Sequence, residues 1–311
     1  MQVYPVARIA LVTQSKMTAH NHHSFDSSSK RIGVAFFLNF SFTIIEFIGG
    51  ALTNSTAIMA DAVHDLGDTL SIGLAWLLSK ISRKHPDGDF TYGYYRLSLL
   101  AALINGVVLI AGSIWVLSLA IPRLMVPEMP SAEGMFWLAI LGVGVNGFAA
   151  WKLSKGKTLN EQVLNWHLLE DVLGWVAVLI VSIMLMFFDW PILDPILSIG
   201  FTLFILINVI KAITQTIKIF LQSSPDKKVL DDIRNKLASL DHVNAIHHMH
   251  LWSLDGERHV FTAHLEIDQM ISAQEQKIIK QEVNHHLSEF SLAHTTIEFE
   301  FPEEICRDNI N

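Results

Sequence analysis

The chain has 311 residues, of which 51% are hydrophobic and 17% are charged, with a formal net charge of −8 and a mean hydropathy of +0.38. Soluble domains carry about 25% charged residues, so this composition indicates a membrane protein in contact with lipid. An acidic chain lacks the basic face that nucleic-acid binding needs, and we expect no nucleic-acid partner. The single cysteine, Cys306, excludes an intramolecular disulfide and any thiolate cluster within one chain.

Hydropathy predicts an α-helical membrane protein with six transmembrane helices, each near the roughly 20 residues that a bilayer requires. The expected spans are Ile32–Leu52, Ala57–Leu78, Leu97–Ile121, Gly134–Trp151, Val163–Phe188 and Ile192–Ile210. Lys and Arg precede span one and follow spans two, four and six, whereas the loops after spans one and five carry neither. The positive-inside rule therefore predicts that both termini are cytoplasmic.

The chain outside the spans is polar at both ends. We predict a cytoplasmic tail at residues 1–30, a transmembrane domain at residues 31–222 and a cytoplasmic domain at residues 223–311. Residues 1–16 are too weakly apolar for a signal peptide, and Met17 is a candidate alternative start.

Periodicity in the C-terminal region switches between helix and strand. The expected elements, in order, are Pro225–Leu240 (helix), Ala245–Leu254 and His259–Ile267 (strands), Ser272–Phe290 (helix) and Thr295–Phe301 (strand). The order αββαβ favours a small two-layer α+β domain. Because a domain of about 80 residues is marginally stable alone, we expect a partner subunit or a metal ion to stabilise it.

Ionisable side chains lie inside two predicted spans, where their cost marks them as functional by default. Residues four apart share one helix face, and this spacing recurs once in each span. The two pairs are His64 with Asp68 in span two and His167 with Asp171 in span five. If the two faces oppose one another, they form a four-ligand site of two imidazoles and two carboxylates.

This donor set indicates a particular class of ion. Zinc accepts tetrahedral coordination by nitrogen and oxygen, whereas two imidazoles disfavour magnesium and calcium, and the lack of sulfur disfavours copper(I). Cobalt, cadmium, iron(II) and manganese stay open. One His–Asp pair alone fits a structural hydrogen bond or a proton relay equally well, but its repetition on two spans favours metal binding.

Other acids in the spans have less definite roles. Asp61 lies three residues before His64 and is placed to orient it. Asp65 is rotated by about 100° from His64 and faces another helix or a wet cavity. Glu46 in span one is interpreted as a pairing partner within the bundle, and Glu170 is assigned no role.

Several stretches together resemble the signatures of the cation diffusion facilitator family, over nearly the whole chain from about residue 30 to residue 301. They are NSTAIMADAVHDLGD at Asn54–Asp68, HLLED at His167–Asp171, YGYYR at Tyr92–Arg96, HMHLWSL at His248–Leu254 and AHL at Ala263–Leu265. The resemblance implies a homodimeric exchanger that moves zinc out of the cytoplasm against inward proton flow. It also implies a ferredoxin-like cytoplasmic domain.

The resemblance places the four paired residues at the family's transport site. Their two-His, two-Asp composition is similar to that of zinc-selective members. Some bacterial members have Asp in place of the first His and also accept cadmium, so His64 favours zinc over cadmium.

The resemblance also implies a regulatory zinc site on the cytoplasmic domain. Its residues are His247, His264 and Glu300, with His294 in a neighbouring site and the tail residues His20, His22 and His23 within reach from the other subunit. In a regular strand, His248 and His250 share one face and His247 lies on the other. His285 and His286 on the second helix are interpreted as surface residues.

The chain departs from the family pattern in two loops. Phe90 and Tyr94 stand where some members carry metal-binding histidines between spans two and three, so we expect that site to be absent, although His85 and Asp87 could bind metal weakly. The loop at residues 152–162 is short and has no histidine. This short loop favours a prokaryotic protein, and we expect it in the bacterial inner membrane.

The ligands themselves predict proton coupling, because metal binding needs neutral imidazole and ionised carboxylate. Exchangers of cadmium, iron(II) or cobalt, and a membrane metal sensor without transport, are the alternative functions. A membrane metallohydrolase is disfavoured because no HExxH motif occurs and all four ligands are protein side chains. We therefore expect no enzymatic activity.

Overall fold

The structure is a computed structural model that describes residues 22–78, 81, 84, 86–153 and 159–308, with side chains from residue 36 onward except at residues 75, 76, 152, 153 and 159–167. Six long helices come first: α1 (His22–Thr53), α2 (Thr56–Leu78), α3 (Leu97–Met125), α4 (Ala132–Leu153), α5 (Leu159–Phe187) and α6 (Leu193–Phe220). Each overlaps one predicted span. α1 begins earlier and α6 ends later than predicted, because a helix does not stop where its apolar stretch stops.

Five of the described helices, α1 and α3 to α6, are long and apolar enough to cross a membrane. α2 is not among them, since its 23 residues include three aspartates, Asp61, Asp65 and Asp68. Large apolar side chains such as Leu38, Trp137 and Phe148 are more than half exposed on the helical unit, at 67%, 61% and 62%. Such a surface suits lipid rather than water.

The described chain forms two compact units. The first contains the helices up to Ile81 and Leu100–Ile213, and the second contains the α2–α3 connection and the chain from Thr214 onward.

α2 is the helix around which the helical unit packs. One buried cluster joins α2 to α4 and α5 through Ile58, Met135 and Trp175. A second cluster joins the next turns of α2 to α3 and α6 through Val63 and Leu109. α2 contributes to both clusters, and the carboxylates of its Asp61 and Asp65 are buried.

α4 and α5 approach closely at one glycine. A Cβ atom at Gly142 would lie 2.1 Å from Cδ2 of the buried Trp175 ring. Trp175 lies one turn after Asp171 on α5, so this contact also positions the predicted ligand.

Replacing Gly142 with alanine is expected to lower the thermal unfolding midpoint of the detergent-purified protein, because overpacking a buried contact costs about 1–3 kcal/mol. Gly144→Ala is the matched control on the same helix, where an added Cβ meets nothing within 4 Å. Equal unfolding midpoints for the two variants, measured by a fluorescence thermal scan, would contradict the packing described here.

The second unit contains α7 (Lys227–Ala238), β1 (Val243–Ser253), β2 (His259–Ile267), α8 (Ala273–Leu287) and β3 (Leu292–Glu300). The predicted order αββαβ is confirmed, and β2 has its predicted bounds. The strands form one sheet in the order β1-β2-β3, with β1 antiparallel and β3 parallel to β2.

Local sequence sets the ends of these elements. Asp226 caps α7 through the backbone N–H of Lys228, and Ser272 with Glu275 forms a capping box at the start of α8. At the β1–β2 turn, Gly256 has φ +100° and the Asp255 side chain accepts two backbone hydrogen bonds.

Both helices of the second unit pack against one face of the sheet. The buried core contains Ile233 and Leu237 of α7, Ile279 and Val283 of α8, and Phe261 of β2. The opposite face is left for polar side chains, since neighbouring residues of a strand point to opposite sides.

Candidate metal centres

One group of potential metal donors lies inside the helical unit. The Nε2 atom of His64 is 3.7 Å from Oδ2 of Asp68 and 3.8 Å from Oδ1 of Asp171. The donor atoms of these residues all lie within 4.8 Å of one another. Tetrahedral zinc bonds of about 2.0–2.1 Å place the ligand atoms about 3.3 Å apart. Small side-chain movements would therefore bring the donor atoms of these three residues to zinc-binding separations.

Two helices build this group. The i,i+4 spacing on α2 stacks His64 over Asp68, and the packing of α2 against α5 brings in Asp171 from more than 100 residues along the chain. The Asp171 side chain is 10% exposed and the His64 side chain 30% exposed. The backbone of His167 lies in α5, one turn before Asp171, whereas its side chain lies outside the described part.

Three other acids, all on α1 and α2, are buried in the same unit. Glu46, Asp61 and Asp65 are 1%, 7% and 6% exposed. Asp61 faces α5, where a Cβ on Gly174 would lie 3.6 Å from its Oδ1 atom. The interior around His64 is therefore rich in carboxylates, which suits a cation.

The N-terminus of α2 is fixed by a residue that sequence reasoning missed. Asp194, at the start of α6, is 1% exposed and accepts hydrogen bonds at the first turn of α2. The donors are Ser55 Oγ at 2.6 Å, Thr56 N at 2.7 Å, Thr56 Oγ1 at 2.8 Å and Ala57 N at 3.2 Å. The carboxylate of one helix thus caps another, where its charge also meets the positive end of the helix dipole.

A second group of donors lies on the polar face of the three-stranded sheet of the second unit. His247 of β1 and His264 of β2 are opposite one another in the antiparallel pair. Glu300, at the end of β3, bridges them: its Oε1 is 2.7 Å from His264 Nδ1, and its Oε2 is 2.8 Å from His247 Nε2. The side chains of His264 and Glu300 are each 9% exposed.

A β-bulge changes the expected alternation in β1. His247 is opposite His264, but His250 is opposite Thr262, so β1 has one extra residue between these pairs. His248 takes up the extra residue in the left-handed region, at φ +48°. The expectation that His248 lies on the opposite face from His247 is therefore wrong, because β1 is not regular here. The centroid of the His248 ring lies 5.1 Å from that of His264 and 5.2 Å from that of His247.

The C-terminal segment after β3 adds a donor that sequence reasoning did not assign. Cys306 Sγ lies 3.5 Å from His264 Nδ1, and its donor atom lies within 4.8 Å of those of His247, His264 and Glu300. The only early signal was that the single cysteine follows Glu300 by six residues. That spacing predicts no contact unless the chain reverses direction.

Hydrogen bonds adjust the ionisation of this group. Burial opposes ionisation of Glu300, but hydrogen bonds from Cys306 and His264 outweigh it and lower the pKa of the Glu300 carboxyl. Desolvation and the same bond to Glu300 raise the pKa of the Cys306 thiol. At neutral pH the cluster therefore already carries one carboxylate among its four donors.

His294 lies apart from this cluster. It is six residues before Glu300 on β3, roughly 20 Å away along an extended strand. Its ring contacts Tyr92 edge to face, and its Nε2 is 3.2 Å from Thr296 Oγ1. Within the described part of the chain, His294 joins neither group of three or more donors.

The α2–α3 connection uses Asp87 to shape a turn. Its carboxylate accepts hydrogen bonds from the Tyr94 hydroxyl and from the backbone N–H groups of Asp89 and Phe90. These bonds, that of Tyr94 most of all, lower the pKa of the Asp87 carboxyl. His85, its predicted weak partner, lies outside the described residues, as does His20, and the side chains of the tail histidines at 22 and 23 are likewise not described.

Long apolar helices with an exposed apolar surface define a multi-pass membrane protein, and its interior holds clustered imidazole and carboxylate groups. Residues 32–221 match the family model of the cation efflux transmembrane domain, and residues 225–301 match that of the cation efflux protein cytoplasmic domain. The chain therefore belongs to the cation diffusion facilitator family, as its sequence signatures indicated.

Curated relatives cover nearly the whole chain. The chain is similar to the zinc transporter ZitB of Yersinia pseudotuberculosis, with 32% identity over 89% of each chain. It is also similar to the cadmium, cobalt and zinc/H(+)-K(+) antiporter of Bacillus velezensis, with 30% identity over 90% of this chain and 91% of the relative. The metal cation efflux system protein CzcD of Cupriavidus metallidurans is 28% identical over 90% of this chain and 89% of its own length.

Proposed function

We propose that this protein exports zinc from the cytoplasm in exchange for protons, by alternating access to a site formed by His64, Asp68, His167 and Asp171. The observation that carries this proposal is the convergence of donors from α2 and α5 inside an apolar helical unit. Buried ionisable groups in such a unit are costly and are retained for function.

The donor set and the relatives together favour zinc as the cargo. Imidazole nitrogen and carboxylate oxygen suit zinc in tetrahedral geometry. The relative from Yersinia pseudotuberculosis is named a zinc transporter, and the one from Bacillus velezensis an antiporter of cadmium, cobalt and zinc. Cadmium and cobalt are therefore the competing cargoes to test first, followed by iron(II).

Proton coupling follows from the ligands. Imidazole binds a metal ion only in its neutral form, and it takes up a proton more readily as its surroundings become more acidic. Protons and metal compete for the same lone pairs, so a site open to the acidic side releases its ion, and a site open to the cytoplasm takes one up. Alternation between the two openings then exchanges one species for the other.

The assembly proposed around this site is a homodimer in the bacterial inner membrane with both termini in the cytoplasm. α2 would be the sixth crossing helix, tolerated in the membrane because its carboxylates face the bundle interior. The proposed limits are a tail at residues 1–30, a transmembrane domain at residues 31–222 and a ferredoxin-like domain at residues 223–311.

The cytoplasmic cluster supports a further zinc ion with a regulatory role. His247, His264 and Glu300 supply two nitrogens and a carboxylate from three adjacent strands, which fits zinc coordination. An ion that binds one arrangement of the dimer more tightly shifts the equilibrium toward it by the difference in binding free energy. His294 is proposed to contribute to a separate, neighbouring site.

Zinc uptake into proteoliposomes is expected to accelerate when the lumen is more acidic than the medium, because protons leaving the lumen then drive zinc inward. A lumenal zinc-sensitive dye reports the rate, and a protonophore should remove the acceleration. Cadmium, cobalt and iron(II) in the medium rank the cargoes by competition.

Protein-free liposomes are the control for leakage. A zinc uptake rate that does not change when the pH gradient is imposed, removed or reversed would contradict proton antiport and leave a sensor or a channel as the better proposal.

A further inference from the structure

We propose that Cys306 is a metal ligand, completing with His247, His264 and Glu300 a four-donor N₂OS site that the C-terminal segment closes over the cytoplasmic sheet. The inference deepens the regulatory zinc site proposed above and rests on that part of the proposed function. It assigns a ligand to a segment that lies beyond the cytoplasmic family match, which ends at residue 301.

The separations in the cluster suit a tetrahedral ion. Bonds of about 2.0 Å to nitrogen and about 2.3 Å to sulfur place those ligand atoms roughly 3.5 Å apart. The distance from Cys306 Sγ to His264 Nδ1 is 3.5 Å. The His247 and His264 nitrogens lie at hydrogen-bond distance from the two oxygens of Glu300, and metal binding would open these contacts by about half an ångström.

The sulfur reaches this position because the chain turns back after β3. In the turn, Phe301 N donates to Glu304 Oε2 at 2.8 Å, and Glu304 N donates to the Phe301 carbonyl at 3.0 Å. The reversal places the segment around Cys306 beside the polar face of the sheet, next to Glu300 at the end of β3.

Ion pairs hold the returning segment immediately after the cysteine. Arg307 Nη2 lies 2.6 Å from Glu298 Oε2 on β3. Asp308 Oδ2 lies 3.4 Å from His264 Nε2, the ring nitrogen that faces away from Glu300. A carboxylate on the second nitrogen of a ligating imidazole fixes the ring tautomer and orientation, as at many zinc sites.

The added sulfur makes this site chemically different from the one inside the helical unit. Thiolate is a softer donor than imidazole or carboxylate and favours thiophilic ions such as zinc and cadmium. The intramembrane group has only nitrogen and oxygen donors among its described residues. A higher metal affinity suits a site that senses an ion, whereas a transport site must release its ion.

The test uses the full-length purified protein, whose single cysteine makes both readouts specific to one residue. Alkylation of Cys306 by a maleimide, followed by mass spectrometry, is expected to slow at least tenfold when zinc is present. Cobalt(II) alone should produce a thiolate-to-cobalt charge-transfer absorption, which requires a cobalt–sulfur bond. Cys306→Ser should lose this absorption and bind zinc at the cytoplasmic site at least tenfold more weakly.

Matched variants separate ligation from other causes. His264→Ala should lose both the protection and the absorption, whereas His294→Ala, a histidine on the same sheet outside the cluster, should keep both. If cobalt gives no charge-transfer absorption, or if zinc leaves the alkylation rate unchanged, the assignment of Cys306 is overturned. Asp171→Asn should keep both signals while zinc transport is lost, so failure of this inference and failure of the transport proposal are distinguishable.

Discussion

Asp171→Asn is expected to abolish pH-driven zinc transport in proteoliposomes while the protein stays folded. The change removes one negative charge and one strong donor from the group that Asp171 forms with His64 and Asp68. Replacing a residue that does not touch the metal but orients one of its ligands lowers metal affinity roughly 10- to 100-fold. Replacing a ligand itself should therefore lower zinc transport by more than about 100-fold.

The size of the effect follows from the small number of donors. A neutral amide oxygen binds a divalent cation more weakly than a carboxylate does, and the remaining donors cannot restore the lost charge. Asparagine nearly preserves side-chain volume, so packing around the 10%-exposed Asp171 changes little. Transport should therefore fall without a matching fall in thermal stability.

Glu170→Gln is the matched control, because it removes the same charge one residue earlier on α5. Glu170 is exposed and is rotated by about 100° from Asp171 around the helix. This variant should transport zinc at the parent rate. Equal transport by Asp171→Asn and the parent would show that the carboxylates on α2 and α5 are structural rather than ligands.

Asp194→Asn is expected to destabilise the helical unit and reduce transport together. An asparagine can present only one acceptor oxygen, and its amide N–H₂ group would face N–H and O–H donors at the start of α2. Leaving two buried donors unsatisfied costs about 1–3 kcal/mol each. The free energy of unfolding should therefore fall by roughly 2–6 kcal/mol, a large share of the stability of a typical domain.

The effect on transport follows from the position of α2. Thr56 and Ala57, which donate to Asp194, precede His64 by about two turns of the same helix. If the capped end shifts, His64 and Asp68 move relative to Asp171. Thermal unfolding in detergent and zinc uptake in proteoliposomes should both decline, which distinguishes this positioning residue from a ligand.

Ser198→Ala is the graded control for this prediction. The Ser198 hydroxyl donates to the Thr56 carbonyl at 2.9 Å, close to the Asp194 cap, and its loss removes one hydrogen bond from the same helix end. It should cost about 1 kcal/mol. An Asp194→Asn protein as stable as the parent would contradict the capping role of the carboxylate.

Much of the fold could be predicted because it depends on local periodicity. Apolar stretches predicted all six long helices, and the alternation of apolar and polar residues predicted β2 at its observed bounds. Both predictions succeed because burial in lipid or in a sheet requires a regular pattern of apolar residues close together in the sequence. The paired spacing of His64 with Asp68 needed only the helical repeat. The limits of α1 and α6 were less accurate because helical structure continues beyond the apolar stretch.

The bulge in β1 shows where local reasoning stopped. Alternation placed His248 away from His247, but the extra residue turned its ring toward His264. Nothing in the stretch HHMH (residues 247–250) indicates which residue forms the bulge and is left unpaired with β2. That choice is made by pairing with β2, whose core-facing Phe261 and Leu265 fix the register.

By itself, the sequence determined that this is a multi-pass membrane protein of the cation diffusion facilitator family and which side chains are candidate ligands, because hydropathy and spacing depend on near neighbours. Only the tertiary structure decided which distant groups meet: Asp171 with His64, Asp194 with the start of α2, and Cys306 with His264. The physical reason is that these contacts result from helix packing and from reversals of the chain. Both depend on many residues at once, and no single stretch of sequence records them.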